Sequence, residues 1–255
     1  MTATLETRGL HVSFGRTPVL RDVNVTVPAH TAVGLVGESG SGKSTLGKTV
    51  VGINTPRQGQ VLVHGEDVFA VSRRRRAAMR RQVQYIPQDP FSSLSPRRTV
   101  GQTLAEALDP VRARPADHEE AIVHALEQVR LDAGAMRKYP HQFSGGQRQR
   151  IAIARALVVQ PRLVIADEIT SALDVSVQAE IVALLRSLER TMEASLLFIS
   201  HNLAVVQALC EHVVVMYRGA IVEQGRVDDV YRDPKHDYTR TLLASVPGSE
   251  GFHLD

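Results

Sequence analysis

Gly37-Glu38-Ser39-Gly40-Ser41-Gly42-Lys43-Ser44-Thr45 follows the apolar run Ala32–Val36 and opens a segment of helical character. Each fixed position of this stretch has a physical task. The glycines let backbone N–H groups curl around phosphate, and the helix start adds the positive end of its dipole. Lys43 reaches the β and γ phosphates, and the Ser44 hydroxyl is a ligand for magnesium. A plain glycine-rich turn would not fill every one of these positions between a strand and a helix. The stretch therefore reads as a P-loop, and the chain as a binder of a nucleoside triphosphate.

Leu163-Val164-Ile165-Ala166-Asp167-Glu168 is an apolar strand that ends in two carboxylates. In open α/β sheets the carboxyl ends of the strands face the ligand. Asp167 is placed to hold magnesium through water. Glu168, one residue on and pointing the other way, is free to orient or deprotonate an attacking water. A strand ending in acids is a weak signal alone and a strong one beside a P-loop. Phe143-Ser144-Gly145-Gly146-Gln147-Arg148-Gln149-Arg150 precedes an apolar helical run that stops before Pro161, so Ser144 stands where an N-cap belongs. A helix N-terminus with a hydroxyl and two glycines makes a second phosphate cradle. One nucleotide does not need two cradles in one chain, so this one suits the ATP of another subunit.

The remaining pattern frames these motifs. Residues 19–27 alternate, with Val23, Val25 and Val27 on one face and Asp22, Asn24 and Thr26 on the other; with 60–63 they imply an antiparallel sheet. The runs 32–36, 83–86, 163–166 and 196–199 are short, rich in Val, Ile and Leu, and separated by helical stretches, as buried parallel strands are. Residues 100–108, 117–129 and 144–159 carry helical spacing, which makes 90–161 a helical insertion. A hairpin is expected from 213–217 and 220–223, turning at Arg218-Gly219. Beyond Pro234, the spacing of Tyr238, Leu242 and Leu243 implies a helix packed back on the core.

The 255 residues, 43% of them hydrophobic, supply a sizeable core. No apolar run approaches the roughly 18 residues of a membrane span, and residues 1–9 lack the pattern of a signal peptide, so the chain reads as soluble and cytoplasmic. The lone cysteine, Cys210, excludes an internal disulfide and reads as a small buried hydrophobe. A net charge of +3 demands no nucleic-acid partner, and the basic cluster of Arg73 to Arg76 with Arg80 and Arg81 reads as a solvated face.

In this order, the phosphate loop, the Ser-Gly-Gly-Gln signature and the Asp-Glu strand resemble the nucleotide-binding domains of ABC transporters, over nearly the whole chain. The resemblance implies an α/β fold: a P-loop NTPase with a RecA-like core, an antiparallel β subdomain and an α-helical subdomain, forming one domain over 1–255. The core and β subdomain would take 1–88 and 161–233, the helical subdomain 89–160 and the tail 234–255. It also implies ATP and Mg2+, the latter held by Ser44, Gln88 and Asp167. Gln88 matches the family's glutamine near the permease, His201 its γ-phosphate switch, and Glu168, His201, Lys43 and Gln88 the catalytic set. Ser171-Ala172-Leu173-Asp174 matches the inter-subunit loop, and Phe14 the ring that stacks on adenine, with core packing as its rival role.

Three further segments resemble the oligopeptide, dipeptide and nickel importer ATPases: Gln88-Asp89-Pro90-Phe91-Ser92-Ser93-Leu94-Ser95-Pro96-Arg97, Leu173-Asp174-Val175-Ser176-Val177-Gln178-Ala179 and Pro234-Lys235-His236-Asp237-Tyr238-Thr239-Arg240. The sequence departs from that pattern at Ile169, where proline is common, at Asn202, where aspartate is common, and at Pro87, where an aromatic is common. Longer members of the group continue into a cysteine-bearing C-terminal extension. The implied partners are a second ABC ATPase subunit, identical or related, transmembrane permease subunits and, indirectly, an extracytoplasmic solute-binding protein, at the cytoplasmic face of the inner membrane. Peptides, nickel and metal chelates are all open as cargo. A soluble ABC ATPase of the iron–sulfur assembly type is the alternative, and a simple P-loop kinase would have no use for residues 144–147. Phe91 and Leu94, apolar residues in the segment 89–98, are expected to form a contact surface for the permease, against the rival role of anchoring the loop.

Overall fold

The computed structural model describes residues 3–245 apart from 172 and 192. The hairpin β1 (Ala3–Phe14) and β2 (Thr17–Pro28) leads to β3 (Ala32–Val36), the glycine-rich loop and α1 (Lys43–Val50). Next come β4 (Gln58–Val63), β5 (Glu66–Asp67), α2 (Arg73–Gln82) and β6 (Val83–Ile86). A helical stretch follows: α3 (Pro90–Ser93), α4 (Val100–Leu108), α5 (Glu119–Gln128) and α6 (Gly145–Leu157). The order then runs β7 (Leu163–Asp167), α7 (Val175–Thr191), β8 (Ser195–Ile199), α8 (Leu203–Leu209), β9 (His212–Tyr217), β10 (Ala220–Arg226), α9 (Val227–Arg232) and α10 (Asp237–Ala244).

Among the described residues the strands form two sheets, a four-stranded one in the order β2-β1-β4-β5 and a six-stranded one in the order β10-β9-β3-β8-β7-β6. The first is antiparallel throughout. In the second, β3, β6, β7, β8 and β9 run parallel and β10 closes the edge antiparallel to β9. The four apolar runs expected as parallel strands are β3, β6, β7 and β8.

Strand alternation divides the interior in two. Val33 and Leu35 of β3, Leu163 and Ile165 of β7, and Leu197 and Ile199 of β8 join one cluster with α1 and the antiparallel sheet. Their neighbours Ala32 and Val36, Val164 and Ala166, and Leu196 and Phe198 join the other, with the helices on the opposite face. A sheet covered on both faces needs apolar residues at consecutive positions, so these strands read as continuous hydrophobic runs. Each fully buried Val, Leu or Ile contributes roughly 1.5–3 kcal/mol. The larger cluster also takes Val100 and Leu104 of α4, Ile122 and Leu126 of α5, and Ile151 of α6, which ties the helical stretch to the sheet.

In β2 the expected alternation holds: Val23, Val25 and Val27 are buried while Asp22, Asn24 and Thr26 are exposed. The hairpin between β9 and β10 turns through Arg218 at φ 47° and Gly219 at φ 83°, so both turn residues take positive φ, where the sequence pointed only to Gly219. In the tail, Tyr238, Leu242 and Leu243 of α10 pack on the larger cluster, as their spacing implied. Cys210 is buried. On α2 only Met79 is buried, and Arg73, Arg74, Arg80 and Arg81 are exposed. Among the described residues, no helix is long and apolar enough to cross a membrane.

One expectation needs correction. Leu94 is only 4% exposed and belongs to the larger core cluster, so it anchors the 89–98 segment to the helices and offers no contact surface. An apolar side chain in a short loop beside a helix finds the core at hand. The Phe91 side chain lies outside the described residues.

Candidate functional site

The loop after β3 is set by three glycines that no L residue replaces without strain, Gly37 at φ 148°, Gly40 at φ 80° and Gly42 at φ 110°. Gly42 is the N-cap of α1, and no side chain caps that end. The first N–H groups of a helix have no intrahelical partner, so Lys43, Ser44 and Thr45 present theirs to the loop, with the dipole behind them. An anion fits this end. Lys43 is 4% exposed and its Nζ donates to the carbonyls of Gly37 and Glu38, at 2.8 Å each. Burial lowers its pKa from the ordinary lysine value, while the carboxylates of Glu168, Asp167 and Glu38 pull it back. Ser39 and Gly40 are exposed at the loop's apex, whereas Ser41 is buried.

Across from the loop, β7 ends at Asp167, 3% exposed. Ser44 Oγ donates to Asp167 Oδ1 at 3.0 Å, and the Tyr85 hydroxyl donates to Oδ2 at 2.5 Å. Burial, reinforced by the bond to Asp167, pushes the Tyr85 phenol far above its ordinary range, so it remains a donor. Tyr85 is the residue the motifs did not reveal; the readable signal was a hydroxyl on the strand that leads to Gln88.

Glu168 follows at φ 48°, a left-handed conformation that strains a non-glycine residue by about 1–3 kcal/mol. Its N–H donates to Ile199 O at 2.9 Å, which holds the turn. The carboxylate stands between Lys43 Nζ, 3.9 Å from Oε1, and His201 Nδ1, 3.4 Å from Oε2. Gln88 Nε2 donates to Ser171 Oγ at 3.2 Å, and that hydroxyl donates to Glu168 O at 2.8 Å, so the Gln88 loop is tied to the backbone of Glu168. Two of the three departures from the family pattern have structural roles. Ile169 is buried, and Asn202 caps α8 by accepting from the N–H groups of Ala204 at 3.1 Å and Val205 at 3.3 Å.

Lys43, Ser44, Asp167, Glu168, His201 and Gln88 thus converge, at the carboxyl ends of β3, β6, β7 and β8. Phe14 is 54% exposed at the end of β1, which excludes the core as its place. Its hairpin continues into Val19 and Leu20, which abut the phosphate loop at Gly42.

Ser144 and Asp174 form a separate group. Ser144 caps α6 in a reciprocal box: its hydroxyl accepts from Gln147 N at 3.3 Å, and Gln147 Oε1 accepts from Ser144 N at 3.0 Å. Asp174 accepts from Val177 N at 2.9 Å and Ser176 Oγ at 2.7 Å, which hold its carboxyl below the ordinary range. The two ends touch where a Cβ on Gly146 would lie 2.5 Å from Val177 Cγ1, while Gly145 faces open space. Ala172 lies outside the described residues. Among the described residues, no hydrogen bond or ion pair joins Ser144, Gly145, Gly146 or Gln147 to Lys43, Ser44, Asp167 or Glu168.

With this geometry in hand, similarity to known proteins fixes the class. The family model described as ABC transporter matches residues 20–171. A putative peptide import ATP-binding protein of Brucella ovis is 45% identical over 254 residues, 98% of this chain and 80% of the relative. The oligopeptide transport ATP-binding protein of Lactococcus lactis is 43% identical over 88% of this chain and 71% of its own, and the di/tripeptide transport ATP-binding protein of Pseudomonas aeruginosa 42% over 94% and 75%. Among solved structures, cbiO1 from Clostridium perfringens, part of the transporter complex cbiONQ, superposes with a TM-score of 0.82 at 24% identity over 97% of this chain and 96% of its own. An ATP-binding subunit of an ABC transporter gives 0.75 at 28% identity, over 90% and 92%. The chain belongs to the ATP-binding subunits of ABC transporters, ATPases whose hydrolysis is coupled to transport.

Proposed function

We propose that this chain drives a membrane importer of peptides, working at the cytoplasmic face of the inner membrane with transmembrane permease subunits and a second ATPase subunit, and indirectly with an extracytoplasmic solute-binding protein. The peptide cargo rests on the relatives, whose names specify peptide, oligopeptide and di/tripeptide import. Those names also favour an importer over an ATPase of iron–sulfur assembly.

The observation that carries the mechanism is the position of Glu168 between Lys43 and His201 at the mouth of the phosphate loop. In this reading the N–H groups at the start of α1, with Gly37, Ser39, Gly40, Ser41, Gly42 and Thr45 shaping the loop, receive the β and γ phosphates, and Lys43 turns its ammonium from the loop carbonyls to phosphate. Glu168 orients and deprotonates the attacking water, and His201 and Gln88 report on the γ-phosphate. Phe14 stacks on the adenine. Ser44 Oγ and Asp167 Oδ1, 3.0 Å apart, are hard oxygen donors of the kind magnesium takes alongside substrate phosphates, and Gln88, whose amide N–H donates to Ser171 Oγ, would add its side-chain oxygen. When bound, the ion would neutralise charge on the phosphate oxygens.

Ser144, Gly145, Gly146 and Gln147, apart from that cluster within one chain, serve the ATP of the opposing subunit, with Asp174 in the contact between subunits. The chain is read as one nucleotide-binding domain, its helical subdomain spanning 89–160 and its tail 234–255. Reconstitution of the transporter in liposomes with its binding protein tests the cargo: di- and oligopeptides raise ATP turnover and accumulate inside, and stimulation by nickel or a metal chelate but by no peptide would overturn the peptide assignment.

A further inference from the structure

The segment 234–240 has no part in the mechanism above, yet one of its side chains reaches the phosphate loop. Tyr238, in the first turn of α10, accepts a hydrogen bond on its hydroxyl from the backbone N–H of Glu38 at 2.9 Å. The Glu38 carbonyl in turn accepts from Lys43 Nζ at 2.8 Å. Glu38 is therefore held at both backbone groups, one by the tail and one by the lysine of the loop.

The tail is itself pinned. The Tyr238 ring stacks on Tyr217, centroids 4.1 Å apart and planes 28° from parallel. The Glu223 carboxylate on β10 accepts from the N–H groups of Lys235 at 2.7 Å and His236 at 3.1 Å. His236 Nδ1 then accepts from Tyr238 N at 3.1 Å and caps α10. Tyr217 ends β9, and in the turn after it the Gly219 N–H donates to Ser41 O at 2.9 Å. The hairpin and the tail thus grip the loop at two points, Ser41 and Glu38.

We infer that Tyr238 is a positioning residue for the phosphate loop: its hydroxyl fixes Glu38, and with it the carbonyl on which Lys43 rests, so the tail sets how well the loop receives triphosphate. This rests on reading 37–45 as the ATP phosphate site. A carbonyl free to swing would hold Lys43 in varied positions, and phosphate binding would have to reorder it at an entropic cost.

Tyr238→Phe keeps the ring and its stacking and removes only the hydroxyl. In the full chain it raises the Kd for ATP and for tripolyphosphate about fivefold, the effect of one net hydrogen bond. The KM for ATP rises in parallel with a smaller change in kcat, while adenosine affinity stays at the wild-type value. Lys43→Ala, measured alongside, separates the two layers. If Lys43→Ala keeps wild-type tripolyphosphate affinity, the loop is not the phosphate site and the inference falls with that reading. If Lys43→Ala loses that affinity while Tyr238→Phe binds ATP and tripolyphosphate like the wild type, the hydroxyl only packs and the inference alone is overturned. An equal loss for adenosine and tripolyphosphate would also overturn it.

Discussion

Asp167 has both carboxylate oxygens engaged, Oδ1 by Ser44 and Oδ2 by Tyr85. The Tyr85 bond fixes the rotation of the carboxylate, so Oδ1 stays facing Ser44, where the account places magnesium. Tyr85→Phe should therefore weaken magnesium-dependent nucleotide binding about tenfold, the low end of what a hydrogen bond to a charged group contributes. Titrating a fluorescent ATP analogue with and without Mg2+ checks this; magnesium-free affinity is expected to hold, and an unchanged magnesium dependence would leave Tyr85 a packing residue. At Phe14 the exposed ring predicts the reverse of a core substitution. Phe14→Ala weakens ATP binding by roughly 1–3 kcal/mol, the scale of base–aromatic stacking, and leaves the melting temperature near wild type. The candidate site was legible where chemistry lies in short runs, as for Lys43, Ser44, Asp167 and Glu168. Tyr85 was not, because its partner lies 82 residues away and no local spacing links them.

At the level of elements, α6 and α7 begin side by side, and the two glycines of the signature differ in why they are there. At Gly146 a Cβ would collide with Val177, a β-branched side chain with little freedom to yield, whereas Gly145 meets nothing. Gly146→Ala is expected to destabilise the chain by about 1–3 kcal/mol, as overpacking does, and Gly145→Ala to leave thermal unfolding essentially unchanged. Equal melting temperatures for the two variants would contradict the contact. If Gly145→Ala alone impairs ATP turnover, that glycine faces the partner's nucleotide, as proposed. The same reasoning explains which elements the sequence disclosed. β2 alternates cleanly, so Val23, Val25 and Val27 announced a strand. Its partner β1 stayed unread because Gly9, at φ 53°, shifts the register between Thr7 and Leu10 and breaks the alternation. For α7, the opening Val-Ser-Val is rich in β-branched residues and weak in helix propensity, and the Asp174 cap that starts it was read as a loop residue.

For the whole molecule, the six-stranded sheet sorts side chains into two cores, and its carboxyl edge gathers groups from both halves of the chain. The phosphate loop comes from the first half, while Asp167, Glu168 and His201 come from the second. The parallel run of β6, β7, β8 and β3 brings them together because each strand ends at the same edge. That edge was readable from the apolar runs alone. The grip of the tail on the loop was not, since it depends on Tyr238 meeting a backbone N–H 200 residues away. In the proposed mechanism a hydrolytic site of Lys43, Ser44, Asp167 and Glu168 powers import. Replacing Glu168 with Gln in the chain assembled with its permease, and following ATP binding, ATP turnover and peptide uptake in liposomes, tests whether it does. Glu168→Gln is expected to retain ATP binding with turnover and uptake abolished; near-normal turnover would remove that carboxylate from the reaction and contradict the mechanism.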